Sequence, residues 1–153
     1  MEIERKFLVR ALPPDLEGYP KSDIEQGYLA VEGETGEVRL RRRDDEYYVT
    51  YKSGGGARRV ELETSLRAEQ FDALWEGTAG KRIAKTRYVI PYGDYAIELD
   101  VYRGAHEGLL TAEIEFPSLE EARQAKLPEW FGEDVTEDNR YRNFALATGR
   151  GGV

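Results

Sequence analysis

Charged and apolar residues alternate with a period of two along most of this chain. In Val38-Arg39-Leu40-Arg41, Glu61-Leu62-Glu63, Glu98-Leu99-Asp100 and Glu113-Ile114-Glu115 the charges take one parity and the aliphatic residues the other. A helix, at about 3.6 residues per turn, would scatter such charges around its surface. A strand keeps them together, because residues i, i+2 and i+4 share a face. The pattern predicts eight strands, at Glu2–Arg10, Asp23–Val31, Glu37–Arg43, Glu46–Lys52, Ala57–Thr64, Lys81–Pro91, Asp94–Arg103 and Leu109–Phe116. Turn signals separate them: Glu32–Gly36, Asp44-Asp45, Ser53–Gly56, Tyr92-Gly93 and Gly104–Gly108. Helices are expected at Ser65–Glu76 with Ser65 as N-cap, at Ser118–Ala125 with Ser118 as cap and Glu121 closing a capping box, and at Asn139–Ala147. The expected class is mainly β with peripheral helices (α+β). Its sheet is expected to close into an eight-stranded antiparallel barrel, a size just wide enough for one small ligand.

The charged parity gathers the acids Glu2, Glu4, Glu61, Glu63, Glu98, Asp100, Glu113 and Glu115. It also gathers the bases Lys6, Arg39, Arg41, Arg43, Lys52, Arg59, Lys85 and Arg87. The simple account is an antiparallel sheet with one solvated face. Two features point elsewhere. The signs are segregated by strand, whereas a surface that is merely soluble mixes them. The opposite parity is apolar on nearly every strand, and the helices offer apolar stripes to cover it. Charges enclosed by such a barrel are costly unless paired, hydrated or bound to ions. Clustered carboxylates suit hard cations such as Mg²⁺ or Mn²⁺. Clustered Arg and Lys suit phosphate oxygens. Together they imply a metal–polyphosphate complex.

Composition removes competing classes. The net charge is −8, which argues against a nucleic-acid binder. There is no cysteine, hence no thiolate metal site and no thiol nucleophile. The single histidine, His106, falls in a turn and is expected to be exposed. Gly54-Gly55-Gly56 lacks the Lys-Ser/Thr partner of a phosphate loop and reads as a mobile hairpin. No apolar run approaches a membrane span. The opening MEIERKFLV is charged where a secretory signal needs an apolar stretch, so the expected location is cytoplasmic, with no membrane partner.

The opening Glu2-Ile3-Glu4-Arg5-Lys6 fits an ExExK signature. In order there follow Gln26-Gly27-Tyr28-Leu29, Val38-Arg39-Leu40-Arg41, Thr50-Tyr51-Lys52, Glu61-Leu62-Glu63, Lys85-Thr86-Arg87-Tyr88, Glu98-Leu99-Asp100-Val101, Glu113-Ile114-Glu115-Phe116 and Val135-Thr136-Glu137-Asp138. Over nearly its whole length the chain resembles the CYTH superfamily, the triphosphate tunnel metalloenzymes, and in particular its short bacterial members. The resemblance implies one domain over residues 1–148, with a disordered tail at 149–153. It implies divalent-metal-dependent hydrolysis of inorganic tripolyphosphate, with Mg²⁺ or Mn²⁺ and two ions during turnover. By motif, Glu2, Glu4, Glu113 and Glu115 are the metal carboxylates, assisted by Asp100. Arg39, Arg41, Lys52, Lys85 and Arg87 clamp the triphosphate, and Tyr28 lines the tunnel. Lys6, between metal and phosphate, joins Glu4 and Arg87 as the catalytic set. The competing readings are a class IV-type adenylate cyclase, a nucleoside or thiamine triphosphatase and, from another class, a non-catalytic polyphosphate-binding module. Trp130 and Phe131 are core or a patch against a second copy, so a homodimer stays open.

Overall fold

The computed structural model describes residues 2–29, 36–53 and 60–149. The expected turn at Glu32–Gly36, the glycine hairpin at 54–56, Arg59 and the tail beyond Gly149 lie wholly or mostly outside that range. The strands are β1 (Ile3–Val9), β2 (Lys21–Tyr28), β3 (Gly36–Arg43), β4 (Glu46–Ser53), β5 (Val60–Leu66), β6 (Arg82–Tyr92), β7 (Tyr95–Arg103), β8 (Leu110–Phe116) and β9 (Phe131–Asp134). The helices are α1 (Ala68–Trp75), α2 (Leu119–Gln124) and α3 (Asn143–Ala147).

The fold is mainly β, as expected, but the sheet is not a closed eight-stranded barrel. It has nine strands in the order β5-β4-β3-β2-β6-β7-β8-β1-β9 and stays open. The ninth strand lies at the edge of β1. There the short strand β9 pairs with it, Phe7 opposite Asp134 and Val9 opposite Phe131. That pairing takes up part of the outer edge of β1.

Two compact units make up the chain, Met1–Ser22 with Lys85–Asn139 and Asp23–Ala84 with Arg140–Val153. In the first unit the apolar parity forms the core: Phe7, Tyr88, Ile90, Ile97, Leu99, Ala112, Ile114 and Phe116, joined by Ala122 of α2 and Phe131 of β9. Phe131 is therefore core, its ring 4.7 Å from that of Phe7. Arg5 shares the apolar parity and ties down what covers it, donating to the Ala122 carbonyl at 2.7 Å and to Asp134 at 2.9 Å. Ser118 caps α2 by accepting from the Glu121 amide, as the sequence predicts.

In the second unit α1 packs on β3 and β4, stacking Phe71 between Tyr47 and Trp75. Ser65 is not its cap. It pairs with Tyr48 in the β4–β5 ladder, and the helix starts after Arg67, whose amide donates to Gln70 Oε1. A backbone already held in a ladder cannot take the N-cap position. Gly27 faces Thr78 and Trp75 so closely that a Cβ there would sit 2.7 Å from Thr78 Oγ1. The expected last helix is interrupted: Asn139–Tyr141 is a 3-10 turn and only Asn143–Ala147 is α-helical. His106 is half-buried, its ring against Tyr102, rather than exposed. Among the described residues no helix is long and apolar enough to cross a membrane.

Candidate active site

Each unit carries one charged face, and strand register sets what lies beside what. In the first unit Glu4 pairs with Glu115 and Lys6 with Glu113 across β1–β8. Glu98 pairs with Glu113 and Asp100 with Thr111 across β7–β8. The result is a row of carboxylates crossed by one lysine, whose Nζ lies 3.5 Å from Glu113. Burial, and then the negative charge of Glu113, pushes the Glu4 carboxyl up to about 7, and the two carboxyls are within hydrogen-bonding reach of each other. Two carboxylates that close need a cation or a proton between them. Glu115 is raised as well, first by burial and then by Glu2. A cleft of about 570 Å³ is lined by Glu2, Glu98, Glu113 and Glu115.

On the same face Asp100 holds two bases. Its Oδ1 accepts from Arg87 Nε at 2.8 Å, and its Oδ2 accepts from Arg87 Nη2 at 2.9 Å and Lys85 Nζ at 2.7 Å. Arg87 Nη1 reaches Glu98 at 3.1 Å. Lys85 is fully buried, over the Tyr102 ring. Burial lowers its pKa to about 8 in spite of Asp100. Burial would raise Asp100, but Lys85 and Arg87 outweigh it and bring the carboxyl down to about 2. Burial disfavours the Arg87 cation too, and Asp100 and Glu98 overcome that and hold it firmly protonated.

The second unit holds a basic face. Tyr28 and Gln26 of β2 lie opposite Arg39 and Arg41 of β3, and Arg39 lies opposite Thr50 of β4. Thr50 accepts from Arg39 Nη2 at 3.4 Å and donates to Glu63 at 3.0 Å. Lys52 lies 3.8 Å from Glu61. Arg39 Nε is buried and has no hydrogen-bond partner among the described residues. A buried cationic donor left open calls for an anionic acceptor.

Parity thus brings Glu2, Glu4, Lys6, Lys85, Arg87, Asp100, Glu113 and Glu115 onto one face of the first unit. It brings Tyr28, Arg39, Arg41 and Lys52 onto one face of the second. Two residues outside the predicted site take part. Glu98 anchors Arg87, and Gln26 bonds both Arg41 and Tyr28. Their parity was the available signal, since each alternates with a site residue two positions away.

A profile of the CYTH domain matches residues 1–146. The chain belongs to the CYTH family. This CYTH chain is 47% identical to an inorganic triphosphatase from Nitrosomonas europaea over 149 residues, covering 95% of this chain and 96% of that protein. It is 34% identical to an inorganic triphosphatase from Acetivibrio thermocellus over 148 residues, covering 95% and 92%. A crystal structure of an inorganic triphosphatase aligns with a TM-score of 0.82 at 41% identity, covering 99% of this chain and 97% of that one.

The CYTH carboxylates suit a divalent metal by their chemistry. The donors are hard oxygens, and the register sets Glu4 opposite Glu115 and Glu98 opposite Glu113. Among the described residues no three acidic or histidine side chains are gathered closely enough to hold a metal ion by themselves. Hard cations keep water or substrate oxygens in their shell, so an open carboxylate row fits a metal carried with a phosphate ligand. Asp100, by contrast, has both oxygens taken by three cationic donors.

Proposed function

We propose that this chain hydrolyses inorganic triphosphate to pyrophosphate and orthophosphate in a reaction that depends on Mg²⁺ or Mn²⁺. The observation that carries this reading is the row of carboxylates that register sets side by side, Glu4 opposite Glu115 and Glu98 opposite Glu113, an arrangement of like charges that a divalent cation relieves. The Nitrosomonas and Acetivibrio relatives, both inorganic triphosphatases, support it. Capture of phosphate alone needs bases, and this row of acids would oppose it.

Glu2, Glu4, Glu113 and Glu115 would hold the metal, two ions during turnover. When bound, such ions neutralise phosphate charge and lower the pKa of water. Lys6, Arg39, Arg41, Lys52 and Arg87 supply the cationic donors that phosphate oxygens require. Water adds to a terminal phosphorus in line with the bridging oxygen. That P–O bond breaks and pyrophosphate leaves. Lys6, next to Glu113, is suited to hold the terminal phosphate or the attacking water. Lys85, bonded to Asp100 at 2.7 Å, belongs to the same basic set.

The test is a product assay on inorganic triphosphate, ATP and thiamine triphosphate, with and without each metal. Orthophosphate from inorganic triphosphate, at a kcat/KM about tenfold or more above that for ATP, is the expected result. Cyclic AMP and pyrophosphate from ATP, with no orthophosphate, would replace the reading by a cyclase. Binding without turnover would make the chain a polyphosphate module.

A further inference from the structure

Gln26 is fully buried on β2, two residues from Tyr28 on the same face. Its amide orientation is fixed by chemistry. Arg41 Nε is 2.8 Å away, and a guanidinium has donors only, so the atom facing it must be Oε1. The amide nitrogen then faces Tyr28, and Nε2 donates to the phenolic oxygen at 3.0 Å. Arg41 thereby sets the polarity of Gln26, and Gln26 sets the polarity of Tyr28. The phenol oxygen is already an acceptor. Its own proton has no acceptor among the described residues, although the side chain is almost completely buried.

The surroundings say what that proton can meet. Arg39 lies directly opposite Tyr28 in the ladder, and its buried Nε is likewise without an acceptor. Two buried donors on adjacent positions of one face, one of them cationic, are well satisfied by an anionic oxygen. Burial also pushes the Tyr28 hydroxyl up to about 12, which keeps it protonated across the working range.

We propose that Gln26 is a positioning residue: by donating to Tyr28 it leaves that hydroxyl as a donor for a phosphate oxygen of the substrate, beside Arg39. The inference rests on the triphosphatase reading above. It assigns Tyr28 the task of giving a hydrogen bond to the anion, and it gives Gln26 a function that packing alone does not require.

The test is a double-mutant cycle of Gln26→Glu and Tyr28→Phe, read as kcat and KM for inorganic triphosphate at saturating metal, with Tm as the control for folding. Gln26→Glu keeps an acceptor for Arg41, so a purely structural role is preserved. The new carboxylate cannot donate to Tyr28 and instead takes its proton. Expected is a loss of about tenfold in kcat/KM for Gln26→Glu and for Tyr28→Phe, with unchanged Tm. In the Tyr28→Phe background, adding Gln26→Glu should cost less than about threefold, because the hydroxyl it acts through is gone. Gln26→Met, which removes the donor without adding charge, runs through the same cycle and should give the same pattern. Equal losses in both backgrounds, or no loss at Gln26, would overturn the inference while leaving triphosphate hydrolysis intact. A wild-type protein without metal-dependent turnover of inorganic triphosphate would overturn the functional reading and this inference with it.

Discussion

Asp100→Asn should be among the most damaging conservative substitutions in the protein. Its two oxygens receive three cationic hydrogen bonds, at 2.7, 2.8 and 2.9 Å. Whichever way the new amide is turned, its NH₂ faces a donor, Arg87 Nε on one side or Lys85 and Arg87 Nη2 on the other. Lys85 has no exposure to water with which to compensate. Two routes give the size. The Asp100 carboxyl lies at about 2 against an ordinary 3.8, which by linkage is about 2.5 kcal/mol in favour of the ionised folded form. Removing one partner of a buried ion pair costs about 3–5 kcal/mol. About 3 kcal/mol is expected, a large share of the roughly 5–15 kcal/mol that holds a domain together. Urea unfolding at pH 7 measures it. The sign with pH is fixed. For the wild type, the Asp100 contribution is complete above the ordinary carboxyl value and is lost as pH falls through about 2. The variant lacks that contribution. Without Asp100, burial lowers Lys85 further below its ordinary 10.5. The unfolded chain then holds more protons than the folded one, and the stability of the variant climbs as pH rises toward 9. Adding Lys85→Met should return part of the loss. A cost below about 1 kcal/mol at pH 7, or a deficit that grows with pH, would refute the buried-pair argument. Because Asp100 is buried and its charge already serves three cationic hydrogen bonds, the metal concentration giving half-maximal activity should stay within twofold among molecules that fold.

Glu113→Gln should reduce metal-dependent hydrolysis by about 10²-fold or more, while urea unfolding shows unchanged or higher stability because Glu4 loses its like-charged neighbour. In metal-free protein Glu4 binds its proton more tightly when folded, its carboxyl lying at about 7 against an ordinary 4.5. Stability should therefore fall between pH 4.5 and 7, and adding Mg²⁺ should raise Tm most at the upper end. Arg39→Ala should cost about 10²–10⁴ in kcat/KM for inorganic triphosphate, with folding checked by circular dichroism. Gly27→Ala should destabilise by about 1–3 kcal/mol in urea unfolding, since its Cβ would meet Thr78 and Trp75 at 2.7 and 2.8 Å.

Strand parity was enough to sort the charges, because the pleat alone decides which residues share a face. Glu4, Lys6, Glu113 and Glu115 meet as that rule requires, and so do Tyr28, Arg39 and Arg41. Parity says nothing about edges. β9 is four residues, Phe-Gly-Glu-Asp, with no alternation to announce it, yet it adds a ninth strand at the edge of β1. Parity also cannot say how far a helix reaches. Leu62 shares its face with Val60, and both were expected under cover, but α1 packs on β3 and β4, and Leu62 on β5 is 65% exposed. The roles of Lys85 and Asp100 needed distances. On a strand, a lysine that pairs with an aspartate on a neighbouring strand and a lysine that reaches a ligand have the same period-two address. They differ in the contacts they make, and Lys85 Nζ lies 2.7 Å from Asp100 Oδ2. Gln26 was the least legible of all. An amide carries no charge to betray a pattern, and its meaning came only from the donor-only guanidinium on one side and the phenol on the other. Charge-bearing residues in this fold therefore declare their face in the sequence, while the neutral residues that set their geometry become visible only when hydrogen-bond polarity is followed atom by atom.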